Sequence, residues 1–269
     1  MLAIKHLLWC ILACASQGAN GLPIPRPKAL SNNALPPRAT EATQSFARGL
    51  PLRIMPLGAS ITYGYGSSDK NGYRKVLRDM LEQNGNHVNM VGDNPAGGMV
   101  DDETEGWKGY TVDQVHAKAD KAVPVFKPNV ILVNAGTNDC IQSVDMARAG
   151  DRLENLLDDL YKESPRATVI LSTLIVNADP ETQRRVEDFN RQLKRVGSAF
   201  QMAAKRLVVV DMQSDMGPKK EDLLKDGIHP NDAGYKKMAE VFFEGIKEAD
   251  KRLYLKEAEK VDGLPDDGP

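Results

Sequence analysis

The chain has 269 residues, and 35 lysines and arginines stand against 37 aspartates and glutamates, a net charge of −2. That balance leaves no concentrated positive field for nucleic acid or an anionic membrane surface. A hydrophobic share of 41% with 27% charged residues excludes the disordered class, and 6% aromatics argue against a surface of stacking platforms.

Residues 1–20 read as a secretory signal peptide. Lys5 and His6 give a short positive start, and residues 7–15 form an apolar run too short to span a membrane. Ala13-Cys14-Ala15 is a small-x-small cleavage pattern. Residues 21–49 carry Pro23, Pro25, Pro27, Pro36 and Pro37 among small and polar residues, the composition of a propeptide or leader. The mature protein is therefore expected outside the cell, with no membrane segment. Cys10 and Cys14 leave with the signal, so Cys140 remains alone and no intrachain disulfide forms. A domain over residues 50–255 is long enough to hold itself together by its core. Residues 256–269 read as a polar tail.

Within that domain, residues 52–57 form an apolar run that ends in a glycine-rich turn. Tyr73, Val76, Leu77, Met80 and Leu81 then recur at helical spacing. Residues 87–91 read as a second strand, followed by a Gly- and Asp-rich loop to about Gly109. Residues 111–122 predict a helix stopped before Pro124. A third strand is expected over residues 130–133, and Leu153, Leu156, Leu157, Leu160 and Tyr161 stripe a helix that Pro165 terminates. Residues 168–171 predict a fourth strand. Val186, Phe189, Leu193, Val196 and Phe200 stripe the next helix, and residues 207–210 predict a fifth strand. Tyr235, Met238, Ala239, Phe242 and Ile246 mark the last helix.

Apolar strands separated by helices pair in parallel through right-handed crossovers. The expected fold is a single-domain, three-layer α/β/α sandwich on a five-stranded parallel, flavodoxin-like sheet. Ligands in such sheets sit beyond the carboxyl ends of the strands. The loops starting near Gly58, Gly92, Asn134, Thr173 and Asp211 are therefore the places to look.

After the first strand comes Gly58-Ala59-Ser60-Ile61-Thr62, where Ser60 is placed as an exposed nucleophile, although a strand-end serine equally caps the next helix. After the third comes Gly136-Thr137-Asn138-Asp139. The Asn138 amide can face developing negative charge, or simply close its own loop. Gly109, before a predicted helix, offers a second donor through its N–H, or serves only its dihedral freedom. Near the end lies Asp226-Gly227-Ile228-His229-Pro230. His229 is the histidine in a loop at the right sheet edge, and Asp226 can orient its ring. Nucleophile, base and oxyanion donors on one edge are what acyl transfer needs. No metal-ligand spacing or phosphate loop appears, and Cys140 has the neighbours of a small buried residue.

These blocks, in this order, resemble the SGNH (GDSL-type) hydrolase superfamily from Arg53 to about Ile246. Gly72-Tyr73-Arg74 and the Glu105-Gly-x-x-Gly109-Tyr-Thr-x-Asp113-Gln114 loop are similar to carbohydrate esterase family three, the acetylxylan esterases. The resemblance implies Ser60 as nucleophile, His229 as general base and Asp226 as its orienting acid. Ser60 N–H, Gly109 N–H and the Asn138 amide match the oxyanion hole. Trp107 and Tyr110, in the polar loop, are expected to meet the substrate. No metal or cofactor is implied, the substrate is an acetylated carbohydrate, and the protein is expected to act as a monomer. Ala59 departs from the Gly-Asp-Ser form, so hydrogen bonding around Ser60 is expected to differ. Two rival readings remain, an esterase for longer acyl chains and a non-catalytic carbohydrate-binding protein.

Overall fold

The computed structural model describes residues 49–264. The expected signal peptide, nearly all of the expected leader and residues 265–269 lie outside the described residues. Six strands form one parallel sheet: β1 (Leu52–Gly58), β2 (Val88–Met90), β3 (Glu105–Gly106), β4 (Val130–Asn134), β5 (Thr168–Ser172) and β6 (Leu207–Val210). The path across it is β2-β1-β4-β5-β6, and the two-residue β3 pairs β1 beyond the end of β2. Register is set by pairs such as Leu57 with Val133 and Leu132 with Ile170. This is the three-layer, single-domain arrangement the sequence predicts.

The strands read as unbroken apolar runs because both faces are covered. Met55, Leu57, Ile131, Val133, Val169 and Leu171 join the cluster of α3 (Val112–Phe126), α5 (Ala149–Glu163) and α6 (Pro180–Met202). Leu52, Ile54, Val130, Leu132, Ile170 and Val208 face the other way, toward α2 (Tyr73–Gln83) and α7 (Asp232–Lys251). Each fully buried aliphatic side chain contributes about 1.5–3 kcal/mol, so two such layers hold the domain without a crosslink. Cys140 is free and buried in the first layer, as its neighbours suggest, and burial pushes its thiol up to about 12.

One boundary differs from expectation. α3 does not stop before Pro124 but runs through it to Phe126. Proline here removes the N–H that would meet the Asp120 carbonyl, a turn back. Asp120 is exposed, so water can serve that carbonyl, and the helix ends at Phe126, capped by Lys127, which turns left-handed at φ 45°. Two short helices follow strand ends without a periodic signal: α1 (Ser60–Tyr63) and α4 (Thr137–Gln142).

Candidate active site

The direction of strand addition reverses between β1 and β4, so their carboxyl ends flank the switch point of the sheet. β1 delivers Ser60 there. Gly58, the last residue of β1, passes so close to β4 that a Cβ would lie 2.2 Å from the Asn134 carbonyl oxygen. Only glycine fits this approach. Ser60 opens α1, where its N–H has no intrahelical acceptor, and Ala59 supplies no side-chain cap.

His229 arrives from the far end of the chain on a loop that doubles back on itself. The Leu224 N–H donates to the His229 carbonyl at 2.8 Å, and the Asn231 N–H to the Asp222 carbonyl at 2.8 Å. Asn231 then caps α7 by accepting from the Gly234 N–H at 3.0 Å. This brings His229 Nε2 to 2.9 Å from Ser60 Oγ, across 169 residues of sequence. His229 Nδ1 lies 2.7 Å from Asp226 Oδ2. Asp226 Oδ1 accepts from the N–H groups of Ile228 at 2.9 Å and His229 at 3.0 Å. Burial works to raise the Asp226 carboxyl, but those N–H groups and the imidazole hold it below the usual carboxylate range. As a carboxylate it accepts a hydrogen bond from Nδ1–H, which leaves Nε2 to accept one from the serine hydroxyl.

The other predicted residues gather at the same edge. Asn138, in α4 after β4, donates its amide to the Tyr110 carbonyl at 2.8 Å. Gly109 lies at φ +81° with open space around its α-carbon, and its N–H meets no acceptor among the described residues. Its glycine is required by conformation, not by crowding. Trp107 and Tyr110 stack on each other, with ring centroids 5.9 Å apart. The Trp107 indole N–H is bound to Glu105 Oε1 at 2.6 Å, and Lys118 Nζ lies 3.4 Å from the ring centroid. Burial raises the Glu105 carboxyl against the pull of the Asp93 N–H and Trp107.

Other neighbours join them through contacts that the sequence does not announce. The Tyr65 ring lies 4.5 Å from the His229 ring, and the Tyr235 hydroxyl holds the Tyr65 carbonyl at 2.6 Å. Arg74 is fully buried and pairs with no carboxylate among the described residues. It donates to the carbonyls of Ala96 at 2.6 Å and Asp102 at 2.8 Å, and to those of Lys70 and Tyr63. Arg74 thus ties the loop after β2 to α1. Away from this edge, His116, Asp120 and Asp159 are the group among the described residues whose atoms converge as metal ligands would. His116 Nε2 lies 2.9 Å from Asp159 and 3.3 Å from Asp120, a polar cluster joining α3 to α5.

The sequence profile of the GDSL-like lipase/acylhydrolase family matches residues 57–237. A multidomain esterase of Ruminococcus flavefaciens is 29% identical over 225 residues, 73% of this chain, and the chain spans 28% of that protein's length. Among solved structures, a Clostridium thermocellum family 3 carbohydrate esterase superposes with a TM-score of 0.68 at 24% identity. It covers 76% of this chain and 99% of its own. A family 3 carbohydrate esterase from Talaromyces cellulolyticus gives 0.65 at 20% identity, covering 75% and 99%. The lipase/acylhydrolase from Enterococcus faecalis gives 0.60 at 23%, covering 78% and 100%. All three share the fold.

Proposed function

The chain belongs to the GDSL-like lipase/acylhydrolase family, and on that premise we propose a secreted serine esterase that removes acetyl groups from carbohydrate such as acetylated xylan. The observation that carries the reading is the relay from Ser60 Oγ to His229 Nε2 at 2.9 Å and from His229 Nδ1 to Asp226 at 2.7 Å.

In this reading the chemistry runs in two steps. His229 takes the Ser60 proton as the hydroxyl oxygen attacks the ester carbonyl, and negative charge builds on the former carbonyl oxygen. The N–H groups of Ser60 and Gly109 and the Asn138 amide meet that charge, and His229 returns its proton to the departing sugar oxygen. Water then attacks the acetyl-serine by the same route in reverse. Each donor contributes about 3 kcal/mol to the transition state. Asp226 keeps the imidazole in the tautomer that can accept from serine.

The choice of a carbohydrate rests on a polar loop that presents Trp107 and Tyr110 beside Gly109, and on the likeness to family 3 carbohydrate esterases. The residue 1–20 pattern supports secretion. The test is hydrolysis of p-nitrophenyl acetate and release of acetate from acetylated xylan by wild type and Ser60→Ala. We expect both activities in wild type and neither in the variant. Turnover by Ser60→Ala at the wild-type rate would overturn the assignment, and a preference for p-nitrophenyl palmitate would move the substrate to longer acyl chains.

A further inference from the structure

Asn138 and Gly109 sit on segments that follow different strands, yet an oxyanion hole works only if its donors hold a fixed spacing before the charge develops. Each loop must therefore be tied to the other. Asn138 Nδ2 donates to the Tyr110 carbonyl at 2.8 Å, one residue past Gly109. One residue past Asn138, Asp139 reaches the same segment: its Oδ2 accepts from the Val112 N–H at 2.9 Å. Asp139 is completely buried. Its Oδ1 is held by Arg152 Nη2 at 3.1 Å, and the same Nη2 donates to the Val144 carbonyl at 2.9 Å. Arg152 Nη1 reaches the Asp145 carbonyl at 2.9 Å. Arg152 therefore binds the far end of the α4 segment as well as its buried carboxylate. The chain of contacts runs from Val112 through Asp139 and Arg152 to Val144.

Resting on the esterase reading above, we propose that Asp139 and Arg152 are positioning residues that clamp the Gly109 and Asn138 donors into one oxyanion hole. A side chain that only filled the core would not need a buried charge. Burial holds the Asp139 carboxyl above the usual carboxylate range, against the pull of the Val112 N–H and Arg152. An amide or an alkyl chain would be cheaper to bury. The carboxylate offers two oxygens at once, one to the Gly109 side and one to the guanidinium that grips the Asn138 side. Asp139→Asn keeps an acceptor for Val112 but loses the charge that holds Arg152.

The experiment is a double-mutant cycle on p-nitrophenyl acetate with Asp139→Asn, Asn138→Ala and the double variant. Displacing a donor by about 1 Å costs about a hundredfold, so Asp139→Asn is expected to lower kcat by about tenfold to a hundredfold with KM little changed. If Asp139 acts through Asn138, the double variant is expected to fall little below Asn138→Ala alone. Fully multiplicative effects, or an undiminished kcat in folded Asp139→Asn, would overturn the clamp. Should Asp139→Asn fail to fold, Arg152→Gln takes its place in the cycle, with Arg152→Lys expected to restore part of the rate. A wild-type protein without esterase activity would count against the esterase reading instead. The clamp then stands or falls on amide exchange, which is expected to rise at residues 109–112 in the variant. Unchanged exchange there overturns it.

Discussion

Asp226 divides its two oxygens between separate tasks. Oδ1 accepts two backbone N–H groups and so shapes the turn that presents the histidine, while Oδ2 meets the imidazole. Asparagine at this position could keep the first task, but its amide would offer hydrogen to Nδ1 and favour the wrong tautomer. Asp226→Asn is expected to lower kcat by up to about 10⁴-fold, the scale seen when a triad acid loses its charge. The same residue makes a prediction about pH. Its folded pKa lies below the ordinary value of about 3.9, so its stabilisation is complete above that value. It is lost as pH falls through the lowered value. Thermal melts of wild type and Asp226→Asn should therefore keep a constant gap down to about pH 5, and that gap should narrow in more acid solution. A gap that widened on acidification would contradict the sign.

Elements differ in how plainly a sequence announces them. β1, β4, β5 and β6 were readable because strands covered on both faces carry apolar residues without interruption. Helices α2, α5, α6 and α7 were readable from stripes of three to four residues' spacing. The two residues of β3 and the four and six of α1 and α4 are too short for any period to register. Ser60, His229, Gly109 and Asn138 stood out because strand ends are where such folds bind. Asp139 lay inside a matched block without a legible role, and Arg152 and Tyr65 did not stand out, since their roles arise from contacts such as that between Val112 and Asp139, 27 residues apart. Pro124 shows the opposite failure, a strong local signal overruled by packing. Val123 is buried immediately before it, and the turn continues for the sake of that apolar face. A proline in mid-helix costs about 3 kcal/mol, less in a last turn, and its stiffening of the unfolded chain offsets about 0.4–1 kcal/mol. Pro124→Ala should then stabilise by about 1 kcal/mol, an increase of about 2–4 °C in Tm for a domain of this size. A lowered Tm would show that the proline ring itself packs to advantage.

At the scale of the whole domain, the two ends of the sheet do separate work. The carboxyl ends gather Ser60, His229, Gly109 and Asn138. The amino ends gather the chain that enters β1 and the chain that leaves α7. Asn129, just before β4, donates its amide to the carbonyls of Pro51 at 2.9 Å and Lys256 at 2.8 Å. Its Oδ1 accepts from the Arg53 N–H at 2.7 Å, and Arg53 Nη1 reaches the Glu259 carbonyl at 2.9 Å. Thr168, at the start of β5, donates to the Tyr254 carbonyl at 2.9 Å. Residues 254–259 are thus bound across the starts of three strands, so part of the polar stretch after residue 255 belongs to the domain's hydrogen bonding. Ending the chain after residue 255 removes one acceptor from each of Asn129 and Arg53, which keep the carbonyls of Pro51 and of Phe126 and Lys127 respectively. Two such bonds contribute about 2 kcal/mol together, about 4–8 °C in Tm. The proposed oxyanion donors and the Ser60–His229 pair stand at the opposite edge, so kcat and KM of the shortened protein should match wild type below its melting point. Melting curves and p-nitrophenyl acetate kinetics on the same preparation check both halves. An unchanged Tm would mean that water replaces the lost carbonyls in full, and a fallen kcat would mean that the two edges are coupled through β1 and β4.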